Sequence, residues 1–429
     1  MRKLFLSIIA LTLGIGAWAQ ETQSVDYIDA DGQQKTVTAT AVTNETGTLS
    51  AGWYVVTGEV SRGSITCNGA VHLILADGAK LTVTGGDREA GINVSGAATL
   101  TIYGQSAQSG QLFAYGGSGG YGYGAGIGGG GSGSGSNITI NGGKITASGG
   151  DYGAGIGGGY QGSGSYITIN GGTVTANGGK GGSGIGGGYL SSGSNITING
   201  GTVTANGGSW GAGIGGGSDC SGSNITINGG TVIATGGIYG AGIGGGDKGS
   251  GSNITINGGV VTATGGNRGA SIGGGWNGSS SNIRVCADCK VFADGNNHPT
   301  TEIIHDSDTD LASALRAPYA FIEIDQTILS ELRAEAIAAI DEAVEGVAND
   351  EILAIAREAK NKIMNANNRM SITGIKDAAL AELGIAVRWY NSILGPLGEE
   401  HPGPAVKVTK GDTEVILYLP DKVEYVIRK

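Results

Sequence analysis

The chain repeats itself every 29 residues. The Ile ahead of each Gly triplet falls at Ile127, Ile156, Ile185, Ile214, Ile243 and Ile272, and the first Ile of each NITI-type motif at Ile138, Ile167, Ile196, Ile225, Ile254 and Ile283, every step being 29. No insertion breaks the phase. A fixed period of this length is the mark of a solenoid, in which each unit is one turn and draws its stability from its neighbours.

Each unit carries three short strand signals. In "ITI", Ile167 and Ile169 share a face and Thr168 points away; in "TVTA", Val174 and Ala176 share one face, Thr173 and Thr175 the other. "AGIGG" supplies a third strand with Ile156 inward. NGG and Gly/Ser runs separate them, which is turn chemistry. Three strands and three bends per turn describe a parallel β-helix. Twelve of the 29 residues from 153 to 181 are Gly. Misplaced Gly costs ~0.5–1 kcal/mol each. Four buried aliphatics per turn return only ~6–12 kcal/mol before backbone entropy is counted. Most of these Gly must therefore sit at bends with positive φ, or where backbones approach too closely for a Cβ.

The pattern continues in degenerate form upstream, through "VHLIL", "AKLTV", "AGINV", "TLTIY" and "QLFAY", and "NIRVCADCKVFADG" begins a last turn downstream. The expected fold is mainly β: a parallel β-helix solenoid of about eight three-stranded turns, roughly 38 Å long at ~4.8 Å per turn. It occupies residues 71–325, behind an N-terminal β cap at 20–70. "YAFIEI" reads as its final strand. Helical spacing then appears at Ile328, Leu332, Ile337, Ile340 and Val344, after Asn349, and from Ser371, which predicts a small three-helix bundle over 326–392. A Pro/Gly linker and a C-terminal β-hairpin, with "VEYVIRK" as a further strand, fill 393–429.

Residues 1–19 read as a secretory signal peptide: Arg2 and Lys3, an apolar run from Leu4 to Ile15, then Ala17-Trp18-Ala19. The mature chain is expected outside the cytoplasm, secreted or on the outer surface, with no later run long enough to span a bilayer. No Cys follows the cleavage site, which argues against a lipid anchor. The net charge of -11 disfavours nucleic acid and anionic membranes as partners. Export permits oxidation of Cys67, Cys220, Cys286 and Cys289. The CxxC at Cys286 and Cys289 reads as a local disulfide or two free thiols rather than a redox or zinc motif.

"GAGIGGG", "NITINGGTVTA" and "LSAGWYVVTGEV…VHLILADGAKLTVTGG" resemble Gly-rich right-handed β-helix repeats of surface proteins secreted by gut Bacteroides-type bacteria. The likeness covers about 45–325, including "DLASALRAPYAFIEI". Some proteins of that kind are described as carbohydrate-binding or pectate-lyase-like, so the resemblance implies a carbohydrate partner. The helical region resembles three-helix modules of bacterial cell-surface proteins.

The repeats are poor in catalytic groups. Between 124 and 285 the only acids are Asp151, Asp219 and Asp247. Asp219 and Asp247 fall on adjacent turns with Lys248 beside them, the one charged cluster available. The four His are scattered, no Ser/His/Asp arrangement stands out, and the Gly-rich loops lack the GK[ST] of a P-loop and the repeated Asp of Ca²⁺-binding nonapeptides. No catalytic residue, metal ligand or cofactor motif emerges.

Four residues before each repeat Ile stand Arg88, Tyr123, Tyr152, Gly181, Trp210, Tyr239 and Arg268, one file along one bend. The rise of a turn suits stacked rings, and the file reads first as a self-stacked column that stiffens the bends. Gly181 interrupts the file, which predicts a slot of roughly 9–10 Å between Tyr152 and Trp210. Such a slot would admit one sugar ring, with Lys180 at its edge and Tyr239 further along. A second column, Tyr160, Tyr189 and Trp276, is a lesser candidate. T-x-T pairs at Thr173/Thr175 and Thr202/Thr204 resemble those of ice-binding β-helices, but Lys144, Ile233 and Val260 break the array. Asn141, Asn170, Asn199, Asn228 and Asn257 form a column expected to hydrogen-bond up the stack. The expectation is a non-catalytic surface stalk or adhesin. A binder of polysaccharide or host-surface glycan comes second, and a pectate-lyase-like enzyme third.

Overall fold

A computed structural model describes residues 21–418, apart from 118–122, 295–301, 348, 367–368, 395–404 and 411–412. The leader, the linker and the "VEYVIRK" strand lie outside the described residues. Three parallel ladders run along the chain. One aligns Leu73, Ile102, Ile140, Ile169, Ile198, Ile227, Ile256 and Val285. The second aligns Leu81, Leu112, Ile145, Val174, Val203, Val232 and Val261, and the third Ile65, Ile92, Ile127, Ile156, Ile185, Ile214, Ile243 and Ile272. These side chains are buried and meet in one continuous core.

Counted from residue 71, seven turns are complete. The stacking also reaches upstream: Thr48–Val56 pairs in parallel with Ile65–Leu75, and Glu59–Arg62 with Lys80–Thr84. The eighth turn expected from "NIRVCADCKVFADG" starts in phase at Ser280–Val285 but does not close. Tyr319–Ile324 lies between Val260–Thr264 and Cys289–Asp294, antiparallel to both, with Ala320 opposite Ala263 and Ala293. A reversed strand satisfies the open edge without templating another parallel turn. Asp310 accepts from the backbone of Asn282 and Ile283 at 2.8 and 2.9 Å, and Leu311 and Leu315 seal the core end. Cys286 and Cys289 are joined by a disulfide in the bend beside this cap. Burial pushes the Cys67 thiol up to about 12, which leaves it unreactive.

At the other end, the antiparallel hairpin Thr22–Ile28/Gln34–Ala41 folds over the outer face of the first turns. It covers Val55, Ile74 and Tyr103 with Val25 and Ala39. Trp53 stacks on His72 at 4.4 Å, and His72 Nδ1 lies 3.2 Å from the Tyr103 hydroxyl.

Past the cap come α1 (Gln326–Ala343), α2 (Asp350–Asn365) and α3 (Arg369–Leu394). Asp325 caps α1, and Asn349 caps α2 through two bonds of 3.0 Å to backbone N–H groups. Leu329, Ala336, Ile340, Ile352, Ala356, Ile363, Ile372 and Leu383 form the bundle core, which is continuous with the solenoid core. The inward stripe of α1 runs through Leu329 and Ala336, with Ile328, Leu332 and Ile337 only half-buried. Arg333 forks onto the Ala366 carbonyl at the end of α2. Ala405–Lys410 and Thr413–Tyr418 form the expected C-terminal hairpin. No helix among the described residues is long and apolar enough to cross a membrane.

Close approach explains much of the glycine. Gly172 has φ +83°, and a Cβ there would stand 2.6 Å from the Gly143 carbonyl oxygen of the preceding turn. Gly155 has no unusual φ, yet its Cβ would meet Asn177 N at 2.6 Å and Gly184 O at 2.7 Å. The Asn column also behaves as expected. Asn170, Asn199, Asn228 and Asn257 each donate to the Asn one turn before at 2.7, 2.7, 2.7 and 2.8 Å.

Two further files of non-Gly residues adopt left-handed backbone. One is Asn137, Tyr166, Asn195, Asn224, Asn253 and Asn282. Asn tolerates this region best among residues with side chains, and Asn282 donates to Asn253 at 2.7 Å. Tyr166 is the exception, at φ +53° and 62% exposed. Tyr166→Asn should relieve about 1 kcal/mol of strain and raise the thermal midpoint by a few degrees. A lower midpoint in calorimetry would show that Tyr166 contributes packing that outweighs its strain.

Candidate functional site

The bends on either side of the third ladder bring two files of side chains together. The first holds Tyr123, Tyr152, Gly181, Trp210 and Tyr239; the second, eight residues on, holds Tyr160, Tyr189, Ser218, Asp247 and Trp276. Backbone bonds lace them across turns. Tyr160 N donates to Tyr123 O at 2.7 Å, Tyr189 N to Tyr152 O at 2.8 Å, and Ser218 N to Gly181 O at 2.9 Å. Asp247 N donates to Trp210 O and Trp276 N to Tyr239 O, both at 2.8 Å. Each residue of the second file is thus tied to the first file one turn earlier.

The rings interleave accordingly. Tyr160 sits 4.6 Å from Tyr123 and 5.8 Å from Tyr152; Tyr189 sits 5.2 Å from Tyr152 and lies flat on Tyr160 at 5.8 Å. Arg88 lies over the Tyr123 ring and Arg268 over the Trp276 ring, at 5.3 and 4.9 Å. All seven rings are half-buried. The edge is a partly exposed aromatic ridge whose members chiefly touch one another.

The slot expected at Gly181 is closed. Tyr189 lies against Gly181, where a Cβ would come within 2.9 Å of the Tyr189 Cβ, and its ring bridges Tyr152 to Trp210, the latter at 6.3 Å. The missing side chain in one file makes room for the neighbouring file rather than for a ligand. Lys180 is exposed beside this contact. The facing of the two files follows from the eight-residue offset across a two-residue strand, Ile185–Gly186. Read as separate columns, they do not reveal it.

The charged cluster is drawn together, with unequal environments. Lys248 and Asp219 are repeat equivalents, and Nζ meets Oδ1 at 2.9 Å. That bond, with a further one from Ser218 Oγ, holds the Asp219 carboxyl below the usual range. Asp247 is buried, and its Oδ1 meets no hydrogen-bond donor. Burial first, and the Asp219 charge besides, push its carboxyl upward, while Lys248 works in the other direction. Among the described residues no three His, Cys, Asp or Glu side chains are grouped to hold a metal ion. A separate cleft of about 1020 Å³, with a mixed lining, lies between the hairpin tip at Asp31–Gln33, Asn199, Glu358, Asn361 and Asn365 of α2, and Ile375 of α3. Nothing in the repeat pattern points to it.

The folded state binds the Asp247 proton more tightly than the unfolded chain does. Its penalty is therefore absent at pH values below the ordinary Asp pKa and grows as pH rises through the elevated folded value. Asp247→Asn should stabilise the protein at neutral pH, and the gain should fade on acidification. Urea titrations at pH 3 and pH 7 check this, and a variant less stable than wild type at pH 7 would contradict it.

A family model described as Beta helix repeat matches residues 138–160, 167–189, 196–218, 225–247 and 254–276. No curated protein and no solved structure matches the chain. Each matched segment opens at the first inward Ile of a turn and ends on a residue of the second file, from Tyr160 to Trp276. The matched segments coincide with regular turns of the solenoid, so sequence and fold agree on a chain built from parallel β-helix repeats.

Proposed function

We propose that this chain is an exported, non-catalytic β-helix protein that works at the cell surface as a stalk or adhesin. The observation that carries the reading is the uninterrupted in-register stack, flanked by the N-terminal hairpin on the outer face of its first turns and ended by the antiparallel Tyr319–Ile324 strand. A rod laced turn to turn through its ladders, its Asn column and its aromatic bend suits a rigid spacer. Excising residues 167–224, two periods, should give a folded protein about 10 Å shorter by small-angle scattering. Cells displaying it should present the C-terminal module correspondingly closer to the surface. An aggregated product, or an unchanged length, would contradict the spacer.

A second reading, recognition of a polysaccharide, is favoured by the half-buried rings gathered on one edge. Aromatic faces are sequence-tolerant platforms for the apolar faces of sugars. Polysaccharide pull-down with and without Ca²⁺, followed by an assay for unsaturated products, separates the readings. Metal-independent retention without products supports the binder. No retention leaves the stalk. Product formation overturns both in favour of a lyase.

A further inference from the structure

Ring contacts along the aromatic ridge are interrupted once. They run from Tyr123 to Trp210, which Tyr189 reaches at 6.3 Å, and resume between Tyr239 and Trp276 at 5.5 Å. No ring contact joins Trp210 to Tyr239 among the described residues. The second file explains the break. It supplies a ring at Tyr160, Tyr189 and Trp276, but Ser218 and Asp247 stand in the two turns between. Each is tied by its backbone N–H to the first file just as the ring-bearing residues are, at 2.9 and 2.8 Å. A hydroxymethyl and a carboxymethyl group thus occupy positions where the repeat elsewhere places a phenol or an indole. The second file lacks rings there over about 10 Å of the solenoid axis, a notch that is covered rather than open, since Ser218 is only 3% exposed.

The notch has a polar floor. Asp247 is 8% exposed, and its Oδ1 is shut from solvent without a donor. Ser218 Oγ is turned onto Asp219 Oδ2 at 2.9 Å, and Lys248 Nζ is engaged with Asp219 Oδ1, so neither bonds to Asp247. A buried acceptor left unpaired is costly, and a ring at this position would remove the cost. The carboxylate makes sense where a ligand supplies the donor. Local charge narrows the class. Asp219 and Asp247 are offset by Lys248 and by Arg268 over Trp276, so an ionic ligand of either sign gains little. An uncharged sugar gains both a ring face to stack on and an acceptor for its hydroxyls.

We propose that the notch at Ser218 and Asp247, between Tyr189 and Trp276 of the second file, is a subsite for one uncharged pyranose unit of a polysaccharide. The sugar face stacks on a flanking ring, and a hydroxyl donates to the Asp247 carboxylate once the side chains that cover Oδ1 move aside. This rests on the second reading above and gives it a location and a ligand class.

The test titrates the indole emission of the full chain with neutral gluco-, xylo-, manno- and galacto-hexaoses, and with oligogalacturonate as the anionic probe. At least one neutral hexaose should give a saturable change, and oligogalacturonate none. Asp247→Ala should weaken that binding tenfold or more. Ser218→Tyr should abolish it by filling the notch, while leaving the unfolding temperature unchanged or higher. Tyr123→Ala, at the far end of the ridge, should leave binding intact. A response that survives both notch substitutions, a response to oligogalacturonate alone, or gel retention on a polysaccharide without any neutral hexaose response would overturn the notch but leave glycan recognition standing. Absence of both emission change and retention would overturn both.

Discussion

Backbone hydrogen bonds between one turn and the next, held at a constant offset of 29 residues, are the constraint on which this structure depends. A parallel ladder in constant register places equivalent residues directly over one another at ~4.8 Å. Inward files of Ile and Val then become a core that no single turn could make, since a turn offers only a few aliphatic side chains and many Gly. The same register forces polar residues into files. Asn170 reaches Asn141 and Asn199 reaches Asn170 because the ladder leaves them a hydrogen bond apart. A solenoid so made has two open edges: Tyr319–Ile324 covers one by running against the repeat, while at the other Gln34–Ala41 pairs in parallel with Thr48–Val56.

The regular turns were legible because their signal is redundant: the same alternation of Ile and Thr recurs in phase, and one misread unit is corrected by the next. The ends were less so. "YAFIEI" is plainly a strand, but its direction depends on how residues 302–318 cross the end of the solenoid, and no local pattern encodes that crossing. The inward stripe of α1 shifts from Ile328 and Leu332 toward Leu329 and Ala336 for a similar reason. Helix periodicity alone allows either face, and packing against neighbouring elements selects one.

The aromatic bend teaches a narrower lesson. Each file could be read from the period, but the files lie on different bends. Only the fold shows that the two-residue third strand brings them face to face. Tyr189 therefore fills the space beside Gly181, and the break in the ridge falls at Ser218 and Asp247. The signal was present in the alignment of repeats: a position that is Tyr, Tyr, Ser, Asp and Trp in successive turns changes chemistry abruptly. Its meaning depends on the partner file. The left-handed file that holds Leu190 was hidden because Ser, Gln, Leu, Asp, Lys and Asn all occur in it, whereas Tyr166 stands in a file that is otherwise Asn.

Vertical register across the whole rod is the claim to measure most directly. Spin labels at Lys80→Cys and Val260→Cys, in a Cys220→Ser background, occupy the same file six ladder steps apart. Dipolar spectroscopy should give one narrow distance population near 29 Å, six steps of ~4.8 Å, broadened only by the label linkers. A broad distribution, or a mean beyond about 40 Å, would mean that the turns slip or separate along the axis, and the stacked-file description would fall with it.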